Sequence, residues 1–218
     1  MFVRDYMTRH PVMIEPDMSI VEVQSILADT HVRHLPVVET GKRLVGLVTR
    51  QSLRVSPVEL SSLNVWEITR FLSNLRVKDV MVKAKDVISV GPDTPLEEAA
   101  WVMARNKIGC LPVLEDGVVV GIITEIDLLT QLTNLLGGGL PGVRVTIRMP
   151  NKKGELAKVA GALAAHGWGL DASGGLPAPK NPACWDLVIK IRDVSKDELL
   201  AVLQSIEGHT VLDIRETP

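Results

Sequence analysis

The sequence predicts an α+β protein in two unlike parts: a β-α-β-β-α unit used twice, then a single β-α-β-β-α-β unit. Three observations carry this. First, residues recur at a fixed offset of 76: Pro16-Asp17 returns as Pro92-Asp93, Leu35-Pro36-Val37 as Leu111-Pro112-Val113, and Gly41 as Gly117. Second, the run GGGLPG at 137–142 cannot sustain a helix and ends the repetition. Third, VRVTIRM at 143–149 alternates apolar and polar residues, the period of a strand with one buried face.

Each element of the repeat follows from local pattern. A short strand, PVMI (11–14) or VISV (87–90), leads through Pro-Asp into a helix. In the second copy Thr94 is expected to cap that helix, with Pro95 at the first helical position and Glu97 completing the box. Ile20, Val23 and Leu27 share one helical face, as do Leu96, Ala99, Ala100 and Met103. HLPVVE or CLPVLE is the next strand, Gly41 or Gly117 the turn, and LVGLVT or VVVGIIT the strand after it. Past one residue deleted from the second copy, Gly46, Thr49 and Leu53 recur as Gly121, Thr124 and Leu128, and a last helix is expected to begin at the threonine. Val65, Ile68, Leu72 and Leu75 have the spacing of a helix connecting the copies.

Beyond the glycine run, PNKKGELAKVAGALAAHG turns into a helix ending at Gly167, LDASGG and WDLVIKIRD are strands, Ser195 to Gly208 is a helix, and HTVLDIRE is a final strand. That order is a ferredoxin-like sandwich, with helices on one face of an antiparallel sheet. The expected divisions are 1–56, a connecting helix at 57–76, 77–135, a glycine-rich linker at 136–142, and 143–218.

Composition narrows the function. The 218 residues suit two compact units or one large one, and 46% hydrophobic with 23% charged residues argues for packed domains rather than disorder. A net charge of −2 gives no electrostatic reason for a nucleic-acid or anionic-membrane partner. The longest apolar run, near 118–123, falls far short of a membrane span, and MFVRDYMTRHPV lacks the apolar core of a secretory signal, so a cytoplasmic location is expected. Cys110 and Cys184 lie in no metal-ligand spacing and read as free thiols, and no metal is expected. No phosphate-binding lysine loop, nucleophile elbow or HExxH occurs, and the five histidines (10, 31, 34, 166, 209) are scattered, so no catalytic set is expected and the protein reads as a non-enzyme.

The paired stretches VRHLPVVETGKRLVGLVT and IGCLPVLEDGVVVGIITEID resemble a tandem CBS pair, a Bateman module. The last unit, with its PNKKGEL loop between first strand and first helix, resembles an ACT domain, and the order CBS–CBS–ACT is similar to acetoin-utilization proteins of the AcuB type. The resemblance implies that the repeats associate about a pseudo-twofold axis and leave two clefts. Either would take an adenosine-containing ligand: AMP, ADP or ATP first, S-adenosylmethionine or NAD less readily. It also implies that the ACT unit pairs edge to edge in a homodimer, with an amino acid at the interface.

The residues supply their own argument for a site. Thr124 stands where strand gives way to helix, so its hydroxyl is a natural cap and the free N–H groups there favour an anion. Asp127, three residues on, lies on the same face. A carboxylate accepts two hydrogen bonds, and a ribose offers two adjacent hydroxyl donors. In the family these two positions bind phosphate and ribose. The alternative is that Asp127 only complements the helix dipole, worth ~0.5 kcal/mol.

The first copy has Ser52 in place of that aspartate, so its cleft is expected to bind riboses poorly, to be empty, or to take a different ligand. Arg33, His34, Arg50 and Arg54 are candidates for phosphate contacts across the pseudo-twofold; otherwise Arg33 and Arg54 read as solvated surface charges and His34 as a satisfied half-buried histidine. By family position the base pocket falls to Asp86, Val87 and Ile88, with Ile108, Leu111 and Pro112 opposite. Gly109, beside Cys110, would let backbone approach the ligand. Pro11, Val12, Leu35, Pro36, Thr49 and Ser52 would line the weaker cleft. In the last unit Asn151, Gly154, Glu155 and Leu156, with Lys152 or Lys153 nearby, would hold an amino-acid carboxylate or serve only dimerisation. The function expected is a regulatory sensor of an adenine nucleotide acting on a partner protein. The rivals are an assembly protein with vestigial clefts and an amino-acid sensor working through the last unit alone.

Overall fold

The computed structural model describes residues 1–50, 52–53 and 74–218. Most of the expected connecting helix, and Arg54, lie outside those residues. The chain forms two compact units, Met1–Leu128 and Leu129–Pro218.

In the first unit, the first repeat contributes α1 (Val3–Tyr6), β1 (Thr8–Arg9), α2 (Ile20–Thr30), β2 (His34–Glu39) and β3 (Arg43–Thr49). The second contributes α3 (Val77–Val80), β4 (Val82–Lys83), α4 (Leu96–Asn106), β5 (Cys110–Glu115), β6 (Val118–Thr124) and the first turn of α5 (Glu125–Leu135), whose remainder belongs to the second unit. The expected leading strands at 11–14 and 87–90 shrink to single parallel bridges, Ile14 to Val37 and Val90 to Val113. The Pro-Asp turn follows too soon for more of the chain to join the ladder.

Helix starts differ between the copies. Ser19 caps α2 with a complete box: its hydroxyl accepts from the Glu22 N–H at 3.2 Å, and the Glu22 carboxylate accepts from the Ser19 N–H at 2.9 Å. The corresponding position of α4 is Pro95, which is the N-cap rather than the first helical residue. The expected Thr94 cap is therefore absent; Pro95 offers only its carbonyl, which accepts from the Ala99 N–H at 3.0 Å.

The repeats are closed by exchange. Val3 opens the first copy but is fully buried among Leu96, Ala99, Met103, Leu111, Val113 and Ile123 of the second. Val77 opens the second copy but is buried among Ile14, Ile20, Val23, Leu27, Leu35 and Val48 of the first. Backbone bonds fix both: the Val3 N–H donates to the Thr94 carbonyl, and the Val77 N–H to that of Met18. β1 then pairs with β6, and β4 with β3. Gly46 and Gly121 make these pairings possible, because a Cβ would stand 2.8 Å from the Val82 oxygen in one case and 3.1 Å from the Thr8 oxygen in the other. A third cluster, Leu47, Cys110 and Ile122 with Val87 against it, forms the seam between the repeats.

The second unit runs β7 (Gly142–Pro150), α6 (Glu155–Ala165), β8 (Ala172–Pro177), β9 (Cys184–Ile191), α7 (Lys196–Gln204) and β10 (Thr210–Thr217). Its sheet is antiparallel in the order β10-β7-β9-β8, the ferredoxin-like connectivity read from the sequence. Val143, Val145, Ile147 and Met149 of β7 point inward against Val159, Leu163, Leu199 and Leu203 of the helices. The glycine run is part of this unit rather than a free spacer. Buried Lys190 donates to the carbonyls of Gly137, at 2.8 Å, and Leu140, and a Cβ at Gly137 would stand 2.8 Å from the Lys190 side chain. No helix among the described residues is long and apolar enough to cross a membrane.

Candidate functional site

Where β2–β3 and β5–β6 end, the two repeats leave a cleft on either side of the seam. One, of about 370 Å³, is walled by Asp86, Val87 and Ile88 and by the turn Lys107-Ile108-Gly109. Opposite stand Arg33 and His34, then Thr49 and Arg50 at the end of β3. The other, of about 350 Å³, is walled by His10, Pro11 and Val12 and by Val32, Arg33 and His34. Gly109, Thr124 and Glu125 face them. The clefts correspond under the repeat: Pro11-Val12 to Val87-Ile88, Arg33-His34 to Gly109-Cys110, and Thr49-Arg50 to Thr124-Glu125.

This correspondence re-sorts the expected site. The structure brings Asp86, Val87, Ile88, Ile108, Gly109 and Cys110 together with Thr49 and Arg50, not with Thr124. Thr124 shares the other cleft with Pro11 and Val12, while Asp127 and Ser52 line neither cleft. The reason is the exchange of leading segments: each repeat's opening stretch faces the strand ends of its neighbour. Leu35 and Leu111 line neither cleft and are core residues, with Pro36 and Pro112 buried beside them in the same strands. Lys107, Val32, Ile122 and Glu125 line the clefts without having been singled out from sequence. The repeat offset was the signal for Glu125, since it is the counterpart of Arg50.

The turns that follow β3 and β6 are alike in geometry and unlike in charge. Asp127 Oδ2 accepts from both the N–H and the hydroxyl of Thr124 at 2.7 Å, and the Thr124 oxygen accepts from the Asp127 N–H at 3.4 Å. In the first copy the Ser52 hydroxyl accepts from the Thr49 N–H and donates to the Thr49 carbonyl, both at 2.9 Å, while Thr49 Oγ1 accepts from the Ser52 N–H at 3.1 Å. A reciprocal pair of bonds between the threonine and the residue three positions on forms either way.

Charge in the clefts is uneven. Burial holds the His34 imidazole below its usual pKa, opposed by the Glu125 carboxylate and reinforced by Arg33, so the ring is neutral at neutral pH. Burial, with Glu125 adding to it, pushes the Cys110 thiol up to about 12, which makes it an inert wall rather than a nucleophile. The larger cleft therefore presents Arg33, Arg50 and Lys107 against Asp86, and the smaller one Arg33 against Glu125. Among the described residues Arg33 forms no ion pair, and no cluster of three potential metal ligands occurs.

In the second unit the candidate loop is only partly open. Gly154 caps α6 at φ +91, and Asn151 and Leu156 are exposed. Glu155 turns inward, where its carboxylate accepts from Lys158 at 3.0 Å and lies 2.8 Å from His209 Nε2. The Lys158 and His209 contacts hold the Glu155 carboxyl below its usual range.

Comparison with known proteins places this architecture. The family profile of the CBS domain matches residues 3–57 and 77–134, just over half of the sequence, and the chain belongs to the CBS domain family. A solved structure from Vibrio cholerae, described as a candidate acetoin utilization protein (AcuB), is 34% identical, with a TM-score of 0.52 over 63% of this chain and 93% of that one. The structure of CBSX2 in complex with AMP is 26% identical, with a TM-score of 0.50 over 60% of this chain and 95% of that one. The inosine-5'-monophosphate dehydrogenase of Korarchaeum cryptofilum is 32% identical over 56% of this chain, which spans only 22% of that enzyme.

Proposed function

We propose that the protein is a regulatory ligand sensor, not an enzyme, and that an adenine nucleotide binds in the clefts between its CBS repeats. The observation that carries this is the larger cleft: apolar Val87, Ile88 and Ile108 on one wall for a base, and Arg33, Arg50 and Lys107 placed for phosphates. The AMP complex of CBSX2 supports the ligand class. Three cations favour AMP, ADP or ATP over S-adenosylmethionine, whose sulfonium is itself positive. Thr124 serves the smaller cleft, with Pro11 and Val12 against the base, and Asp127 acts there through the Thr124 hydroxyl bonded to it. A ligand of this kind regulates by preferring one arrangement of the two repeats over another.

We assign 1–56 and 77–135 to the CBS repeats. Residues 143–218 we assign to an ACT-type unit that pairs with a second copy, with Asn151 and the Gly154 N–H open to an amino-acid carboxylate. Calorimetry of the full chain against AMP, ATP, NAD and S-adenosylmethionine tests the nucleotide reading. Phosphorylated ligands should bind and lose about tenfold in affinity with Arg50→Ala; absence of binding by any of the four sinks it.

One observation favours a second reading, that of an assembly protein. Asp127 Oδ2 is already engaged by Thr124, so this carboxylate has a structural use without a ligand. That reading predicts no rise in melting temperature with any adenosine compound.

A further inference from the structure

We infer that the two clefts antagonise each other for phosphorylated ligands, because they share the single guanidinium of Arg33. This rests on the nucleotide reading above and adds to it how the two sites communicate.

Arg33 and His34 line both clefts. Half-buried His34 has its pKa lowered, so the shared positive charge is that of Arg33. The larger cleft has two further cations, Arg50 and Lys107, but among the described residues no arginine or lysine besides Arg33 lines the smaller one, which carries Glu125 and His10 instead. No ion pair among the described residues pins Arg33 to either side.

A guanidinium grips one phosphoryl group through two parallel N–H bonds, and that grip fixes its plane. A phosphate in the larger cleft draws the fork to that side. A second phosphate would then meet Glu125 with no second arginine or lysine among the described residues, only His10, and with another dianion just across the shared wall. Coupling of this kind is reciprocal, so each ligand weakens the other by the same factor. A ligand without phosphate makes no demand on Arg33 and escapes the penalty. The chain would thus hold one phosphorylated and one phosphate-free adenosine compound together more readily than two phosphorylated ones.

The test measures each cleft alone and both together on the full chain. Val12 and Ile88 are corresponding wall residues, 39% and 37% exposed, so Val12→Trp fills the smaller cleft and Ile88→Trp the larger. If either does not fold cooperatively, phenylalanine replaces tryptophan. Calorimetry with AMP gives one association constant from each variant and an overall two-site constant from the wild type. The wild-type constant should fall about tenfold below the product of the two single-site constants, within the usual range of such couplings. In an Arg33→Ala background, or with adenosine in place of AMP, the two should agree.

Agreement for AMP in the wild type overturns the proposal. So does an equal deficit with adenosine, which would make the coupling mechanical. Failure of AMP to bind the wild type at all overturns the nucleotide reading itself, and is distinguishable from both.

Discussion

The two CBS repeats solve one backbone problem with different atoms. After β6 the chain is capped by a carboxylate, Asp127, and after β3 by a hydroxyl, Ser52, yet the threonine N–H is satisfied in both. The same holds at the Pro-Asp turns. Asp17 pairs with Lys78 at 2.6 Å, and Asp93 pairs with Arg4, so each turn is tied to the segment that opens the other repeat. At the cleft wall the charge is inverted outright, Arg50 in one copy and Glu125 in the other. At the threonine turns and the cleft wall, geometry is what both copies retain and charge is what differs. A difference confined to charge at matched positions points to what the clefts hold rather than to how they fold.

The largest expected effect breaks the geometric half of that comparison. Gly46→Ala would drive a methyl to 2.8 Å from the Val82 carbonyl, backbone that cannot move aside, and should cost about 3 kcal/mol by chemical denaturation. At Gly121 the nearest backbone atom is the Thr8 oxygen at 3.1 Å, so Gly121→Ala should cost less, about 1–2 kcal/mol. Equal costs would mean that the two exchanged strands do not lie as described. Next come the exchanged anchors. Val3→Ala and Val77→Ala each empty a fully buried position and should each cost about 2 kcal/mol. If Val3→Ala proved neutral, the exchange itself would be refuted.

A smaller effect separates cap from ligand. Asp127→Ala removes the acceptor for Thr124 and should cost about 1 kcal/mol, Ser52→Ala about half that, and Asp127→Asn almost nothing because an oxygen remains. Against AMP, Asp127→Asn should still weaken the smaller cleft if the carboxylate receives a ribose. An asparagine variant neutral in both stability and binding would leave Asp127 as a cap alone.

Much of this architecture was legible in the sequence, because repetition in register needs no propensity argument. Two copies of Leu-Pro-Val, each followed by a glycine turn and a strand ending in threonine, made β2–β3 and β5–β6 legible, and alternation in VRVTIRM did the same for β7. What escaped was the pairing partner of short segments. VRDYM and VKDVM look alike, and nothing in four helical residues says which core they enter. Because that exchange decides which wall faces which strand end, the expected site joined Asp86–Ile88 to Thr124, whereas the structure divides them between clefts. The use of Gly137 was hidden for a similar reason: its close contact is with Lys190, far along the chain.

The smallest effect sharpens the comparison at the Pro-Asp turns. The hydrogen bond from Lys78, with its charge, holds the Asp17 carboxyl below its ordinary 3.8. A carboxylate whose folded pKa is depressed adds stability above its unfolded pKa, and that contribution is lost as pH falls through the folded value. Wild type should therefore melt slightly above Asp17→Asn at neutral pH, and the two curves should converge as the pH drops below 3.8. The margin should be small, because both partners are exposed, at 79% and 54%, and it should shrink further in high salt. Thermal melts from pH 7 to pH 3 provide the measurement. A gap that widened on acidification would mean that Asp17 is held by something other than Lys78, and the symmetry drawn between the two turns would then fail.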